Sequence, residues 1–253
     1  MMHVEVSGRG PDLVLLHGWG TTARVWTELA THLEREFCVH RVDLPGYHSS
    51  RAITPYTLDA IVELLADTCA PRASVCGWSL GGQLAMRWAL RSPGQVERLV
   101  LIASTPHFVS GPDWHSGIEP AVFEAFSQDL LRDPQETLRR FSSLQAQGDT
   151  DARTVSRRLR ECLATERESN AAALASGLQI LKNTDLRAEL PGIAQPVLIV
   201  QGEQDSVVAP GAAENMQRML PQAALAMIAG AAHAPFISQP QEIARRIMEF
   251  CLG

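Results

Sequence analysis

Lysine is almost absent from this chain: of its 22 basic residues only Lys182 is not an arginine, which reads as a bias of composition. Cysteine is sparse and unpaired in pattern. Cys38, Cys69, Cys76, Cys162 and Cys251 are odd in number, scattered and free of any CxxC pair, so a disulfide framework and a zinc site are both excluded as expectations. No run approaches the roughly 20 apolar residues of a membrane span. The opening "MMHVEVSGRGPD" lacks the charged-then-apolar pattern of a signal peptide, and a cytoplasmic protein is expected. There is no G-x-G-x-x-G or Walker pattern, hence no expected nucleotide. His40, His107 and His115 show no ligand spacing, so neither metal nor other cofactor is expected. The net charge of −6 gives no global reason to bind nucleic acid.

What is present suits one large α/β domain of 253 residues with an inserted lobe. Short apolar runs recur at 13–16, 39–42, 74–76, 99–102, 197–200 and 225–228. Helix-period segments at 23–33, 58–68, 80–90, 212–220 and 241–250 separate several of them. Short, wholly apolar strands alternating with helices predict a mainly parallel sheet covered by helices on both faces. The alternation stops between residues 111 and 185. Four segments of helical spacing, "FEAFSQDLL", "QETLRRFSSLQAQ", "DARTVSRRLRECLA" and "NAAALASGLQILKN", follow one another there without a strand. The expected organisation is a core from 1–110 and 186–253 with a helical cap over 111–185.

Within this frame the stretch "GWSLGG", residues 77–82, places Ser79 where a buried strand gives way to a helix. Glycines around a serine at that junction are either an ordinary tight turn or a nucleophile elbow, in which the hydroxyl is held exposed on a sharp bend. A serine is a weak nucleophile until a base takes its proton, so the distinction rests on finding a base and an acid to orient it. His233 in "AGAAHAPF" follows the last apolar run and Asp205 in "LIVQGEQDSVV" follows the one before. Taken singly, each is equally a loop histidine or a turn aspartate. Together they give the chain order Ser, Asp, His, each after a separate strand, which is the order of one known catalytic arrangement. The amide of Leu80, opening the helix, and that of Trp19 in "LVLLHGWG" are the expected oxyanion donors. Trp19 and Trp78 are also expected to wall the acyl pocket. His17 is read as ordering the oxyanion loop, Asp43 as a structural loop residue and Cys76 as a small apolar residue ending a strand.

"HGWG", "DLPG", "GWSLGG", "GEQD" and "AHAPF", in this order and spacing, make the chain resemble the α/β-hydrolase superfamily over nearly its whole length. More narrowly, "GWSLGGQLA", "LVLIASTPHF", "GLQILKNTDLR" and "AAHAPFISQP" resemble the pimeloyl-[acyl-carrier protein] methyl ester esterases of biotin synthesis. The resemblance implies the α/β-hydrolase fold and a serine carboxylesterase that releases methanol from the carrier-bound methyl ester. It implies the triad Ser79, Asp205 and His233 and the oxyanion amides of Trp19 and Leu80. It also implies an acyl site formed with the cap segment Phe141, Ser142, Ser143, Leu144 and Gln145, and a monomer. Phe141 and Leu144 equally have the spacing of a packed helix face. One departure stands out: this chain has His48 where the family pattern has a glycine, so a positive φ there would force the loop to rearrange.

Six arginines, at 139, 140, 153, 157, 158 and 160, face only Asp149 and Asp151 between residues 139 and 160. Arg153, Arg157 and Arg160 share one helix face, and spacing alone fits a solvated surface equally well. With the resemblance, Arg139, Arg140, Arg153, Arg157 and Arg160 become the expected dock for the acidic acyl-carrier protein. The triad by itself leaves open a broad esterase for short acyl esters or a carbon–carbon bond hydrolase, because the pocket selects the substrate. A non-catalytic ligand-binding protein on the same fold is the alternative from another class. An aspartate nucleophile, as in a dehalogenase, is disfavoured by Ser79.

Overall fold

A computed structural model of the chain describes residues 1–164 and 171–253. Seven strands form one sheet in the order β1-β3-β2-β4-β5-β6-β7. They are β1 (His3–Gly8), β2 (Asp12–Leu16), β3 (Cys38–Asp43), β4 (Ala73–Trp78), β5 (Val96–Ile102), β6 (Val197–Gly202) and β7 (Ala224–Ile228). All pairings are parallel except that of β1 with β3, where His3 lies opposite Asp43. The expected fold class is the one observed. The edge strand β1 was not legible, since "HVEVSG" alternates and is half-exposed rather than continuously apolar.

Helices α1 (Thr27–Leu33), α2 (Leu58–Thr68), α3 (Leu80–Arg91), α8 (Pro210–Met219), the single turn α9 (Pro235–Ser238) and α10 (Pro240–Leu252) accompany the sheet. Strand alternation divides the interior in two. Val14, Leu16, Val42 and Val75 join one cluster with Leu84 and Met216, whereas Leu13, Leu15, Val39, Cys76 and Trp78 join the other with Leu29 and Ile247. Burial lifts the Cys76 thiol well above its ordinary range, as befits a small core residue.

Between β5 and β6 lie α4 (Pro120–Arg132), α5 (Pro134–Gln145), α6 (Ala152–Glu161) and α7 (Ala171–Asn183). These are the four anticipated helical segments. Asn170, the first residue of the fourth, lies outside the described residues. Asp133 opens α5 by accepting the Glu136 amide at 3.0 Å, with Pro134 supplying a preset φ at the first helical position. Helix α7 packs closely on the loop after β2 at Gly177, where an added Cβ would come within 2.9 Å of the Trp19 ring. No described helix is long and apolar enough to cross a membrane.

Candidate active site

Ser79 joins β4 to α3 with φ 55° and ψ −115°, a region an L-residue occupies at a cost of about 1–3 kcal/mol. The bend is possible because Gly77 and Gly81, two residues to either side, lack side chains. A Cβ on Gly77 would lie 2.2 Å from Gly81 O, and one on Gly81 would lie 2.2 Å from Leu16 O. The Ser79 carbonyl is fixed by Ser104 Oγ at 2.8 Å and its amide by Ile102 O at 3.0 Å. Leu80 is the first residue of α3, so its amide has no carbonyl one turn behind it.

Asp205 and His233 follow β6 and β7, and the fold brings them together: Asp205 Oδ2 lies 2.9 Å from His233 Nδ1, with both side chains buried. Oδ1 of Asp205 accepts the amides of Val207 and Val208 at 2.8 and 2.9 Å. Gln201, which sequence reasoning missed, donates to Asp205 Oδ2 at 2.9 Å from inside β6. Its position within an otherwise apolar strand was the available signal. His233 is held by its backbone as well: its carbonyl accepts from Trp78 Nε1 at 2.8 Å and its amide donates to Gln145 O at 3.2 Å. Buried Nε2 has no hydrogen-bond partner among the described residues, the Ser79 hydroxyl included. The ring is thus oriented from its Nδ1 side, the arrangement a general base requires.

The Trp19 loop follows β2. His17 Nδ1 donates to Gly18 O at 2.9 Å and its Nε2 accepts the Leu44 amide at 3.0 Å, which sets one neutral tautomer. Burial lowers the His17 pKa, in keeping with that neutral form. The Trp19 indole N–H donates to Leu174 O of α7 at 2.8 Å. Its ring meets Phe126 and Phe141 edge-on, both at 5.5 Å.

An apolar cavity of about 70 Å³ lies between helices α4, α5 and α7 and the Trp19 loop. Trp19, Phe141 and Leu144 line it as expected. Its other walls, including Phe108, Phe123, Leu178 and Val207, come from four separate segments that linear reading could not assemble. Ser79, Leu80 and His233 are not among its walls. Other residues named from the sequence lie away from this cavity for reasons of periodicity. Trp78 faces the opposite side of the sheet, edge-on to Trp26 and Phe236, and is not among the cavity's walls. On α5, residues 141 and 144 share a face while 142 and 143 lie off it. Ser142 is buried against its own helix, Ser143 turns towards α6, and Gln145 contributes its carbonyl to His233.

His48 keeps a positive φ of 43°. The loop does not rearrange to avoid it; instead His48 Nδ1 and His3 Nδ1 approach the same buried oxygen, Asp43 Oδ2, at 3.1 and 3.0 Å. Asp43 Oδ1 accepts the Ala23 amide at 2.8 Å. Among the described residues, His3, Asp43 and His48, and separately Asp12, Cys38 and His40, are the groups whose ligand-type atoms converge. Both stand apart from the Ser79 site.

Arg140, Arg153, Arg157 and Arg160 line one open groove of about 800 Å³ between α5 and α6, and Leu144 is shared between this groove and the apolar cavity. Arg140 also pairs with Asp129, and Arg160 donates to the Ser143 and Ser156 hydroxyls. Arg153 and Arg157 form no ion pair among the described residues. Arg139 is outside the groove beside Glu136, and Arg158 turns away to Glu28.

Residues 11–240 match the family described as alpha/beta hydrolase fold, which sets the class. An esterase from Exiguobacterium antarcticum, 22% identical, superposes with a TM-score of 0.88 over 100% of this chain and 96% of its own. The chain is 44% identical to the pimeloyl-[acyl-carrier protein] methyl ester esterase of Nitrosomonas europaea, covering 95% of this chain and 96% of that protein. It is 42% identical to the protein so called in Stenotrophomonas maltophilia, covering 98% and 96%. The chain belongs to the α/β-hydrolase fold family and, within it, to the group of these esterases.

Proposed function

We propose that this protein is a serine carboxylesterase that hydrolyses the methyl ester of pimeloyl-[acyl-carrier protein] in biotin biosynthesis, yielding pimeloyl-[acyl-carrier protein] and methanol. The observation that carries the chemistry is the His233–Asp205 contact at 2.9 Å with Nε2 left unpartnered, in loops at the same end of the sheet as the strained Ser79. The substrate rests on the full-length kinship with proteins of that name.

In this reading Nε2 of His233 takes the Ser79 proton as Oγ attacks the ester carbonyl. The Leu80 and Trp19 amides bind the oxyanion, a donor set of which each member is worth about 3 kcal/mol in the transition state. Protonated His233 then gives its proton to the departing methoxide. Water, deprotonated by the same imidazole, attacks the acyl-enzyme and frees the pimeloyl carboxylate and Ser79. Asp205 holds the imidazole in the tautomer with Nδ1 protonated and stabilises the imidazolium. The cap over 111–185 covers the acyl chain against Trp19, Phe141 and Leu144, with 1–110 and 186–253 as the core. The carrier protein lies on the groove of Arg140, Arg153, Arg157 and Arg160, which adjoins the cavity at Leu144.

The test is kcat/KM for the carrier-bound methyl ester against a free short-chain methyl ester, at low and high salt. A strong preference for the carrier-bound ester that weakens with salt is expected. Equal, salt-insensitive rates would reduce the assignment to a broad esterase. Absence of Ser79 labelling by a fluorophosphonate would favour a ligand-binding protein instead.

A further inference from the structure

The turn between α5 and α6 belongs to the cap in chain order, yet its hydrogen bonds run to the core. Leu144 O accepts from the Ser206 hydroxyl at 3.3 Å, Gln145 O from the His233 amide at 3.2 Å, and the Thr150 amide donates to Gly230 O at 2.8 Å. Gly148, at φ 88°, lies so close to Gln204 that an added Cβ would come within 3.0 Å of its Cβ. One short segment therefore touches both the loop that carries Asp205 and the loop that carries His233.

Asp149 is the buried carboxylate of this segment and has no ion-pair partner among the described residues. Its Oδ1 accepts the Asp151 amide at 2.9 Å, a local bond that turn aspartates commonly make ahead of a helix. Its Oδ2 does something the turn does not require. It accepts the amide of Ala232 at 2.9 Å, 83 residues away and immediately before His233. The loop of glycine and alanine around His233 offers few side chains of its own, and this contact adds a cap-side tie to those that Trp78 Nε1 makes to His233 O at 2.8 Å and Gln239 Nε2 to Ala229 O at 2.9 Å.

We propose that Asp149 is a positioning residue for the hydrolytic reaction, holding the His233 loop from the cap side so that Nε2 stays placed to accept the Ser79 proton. The proposal rests on the reading of Ser79, His233 and Asp205 as the triad. Asp205 sets the ring through Nδ1, while the backbone at 232–233 is held by Trp78 from the core and by Gln145 O and Asp149 from the cap. The cap then contributes to the chemical step as well as to substrate recognition. Displacement of a catalytic group by about 1 Å costs on the order of 100-fold in rate.

The experiment uses a small activated ester, p-nitrophenyl acetate, that needs neither the acyl cavity nor a carrier. Asp149→Ala and Asp149→Asn are compared with Asp133→Ala, which removes a cap of α5 but no bond to the His233 loop. All are assayed below their melting transitions. Asp149→Ala should lower kcat about 10- to 100-fold with KM little changed, and should slow fluorophosphonate labelling of Ser79 by a similar factor. Asp149→Asn, keeping one acceptor oxygen, should fall between it and the parent. Asp133→Ala should lose thermal stability while keeping kcat. Should Asp149→Ala lose no more kcat than Asp133→Ala, Asp149 is a turn residue and the proposal fails. If Asp149→Ala does not fold, Asp149→Asn decides by the same comparison. Retention of hydrolysis by Ser79→Ala would remove the triad reading itself, a separate failure.

Discussion

The proposed core and the proposed cap hold their candidate functional groups by different means. In the core, Ser79, Asp205 and His233 each sit just beyond the C-terminal end of a parallel strand, on a loop whose backbone is pinned by hydrogen bonds to neighbouring loops and strands. In the cap, Phe141, Leu144 and the groove arginines sit on amphipathic helices, and which of them meets the cavity is decided by helix rotation and packing. Backbone placement would give the proposed reaction centre rigidity, and side-chain packing would give the proposed acyl surface room to be remodelled for another substrate. The α5–α6 turn crosses that division, because Asp149 and the Gln145 carbonyl join the cap to the His233 loop.

The division predicts effects of graded size. Ser79→Ala should abolish turnover, by on the order of a million-fold, with the circular dichroism spectrum and melting unchanged, since alanine keeps the Cβ that strains the backbone at φ 55°. Asp205→Asn should lower kcat about 10⁴-fold, since the wrong imidazole tautomer is then stabilised. Carrier-bound and free esters should suffer alike, and a loss confined to the carrier-bound substrate would break the separation of core from cap.

The cap variants should do the opposite. Arg153→Glu with Arg157→Glu, changing two groove arginines that form no ion pair among the described residues, should lower kcat/KM for a carrier-bound ester about 10-fold or more at low salt. Hydrolysis of p-nitrophenyl acetate should be unaffected. Convergence of mutant and parent at high salt is the sign to look for, and equal rates at every salt would remove the docking surface.

The smallest effect concerns pH. Burial lowers the pKa of His17, so the unfolded chain binds a proton more readily than the folded one. Its contribution to stability is complete above the ordinary imidazole value of about 6.5 and is lost as pH falls below it towards the lowered folded value. Melting temperature should therefore decline on acidification through this window. His17→Gln, which keeps an amide able to face Leu44, should flatten the decline; an unchanged acid slope would assign the sensitivity to other groups.

Much of the site was legible because strand ends and glycine patterns are local facts. "GWSLGG" marks a bend that only small neighbours permit, and the collisions a Cβ would meet at Gly77 and Gly81 are the physical form of that pattern. Loops after apolar runs must lie at one end of a parallel sheet, so Asp205 and His233 could be placed there from chain order. Gln201 was missed because it hides inside a strand that reads as apolar, and Trp78 was misplaced because its side of the sheet depends on strand register.

What the sequence by itself determined is therefore the alternation of strands and helices, the interruption by four helices, and the three residues offered at the strand ends. Tertiary structure alone decided which faces of those helices meet: it gathered Phe108, Phe123 and Val207 into the cavity with Phe141 and set Ser142 apart from it. It left His48 strained against Asp43 and His3, and it joined Asp149 to Ala232 across 83 residues. The reason is physical. Periodicity along a chain reports local backbone geometry, whereas contacts between distant segments depend on rotation, register and close packing, which no short window of sequence contains.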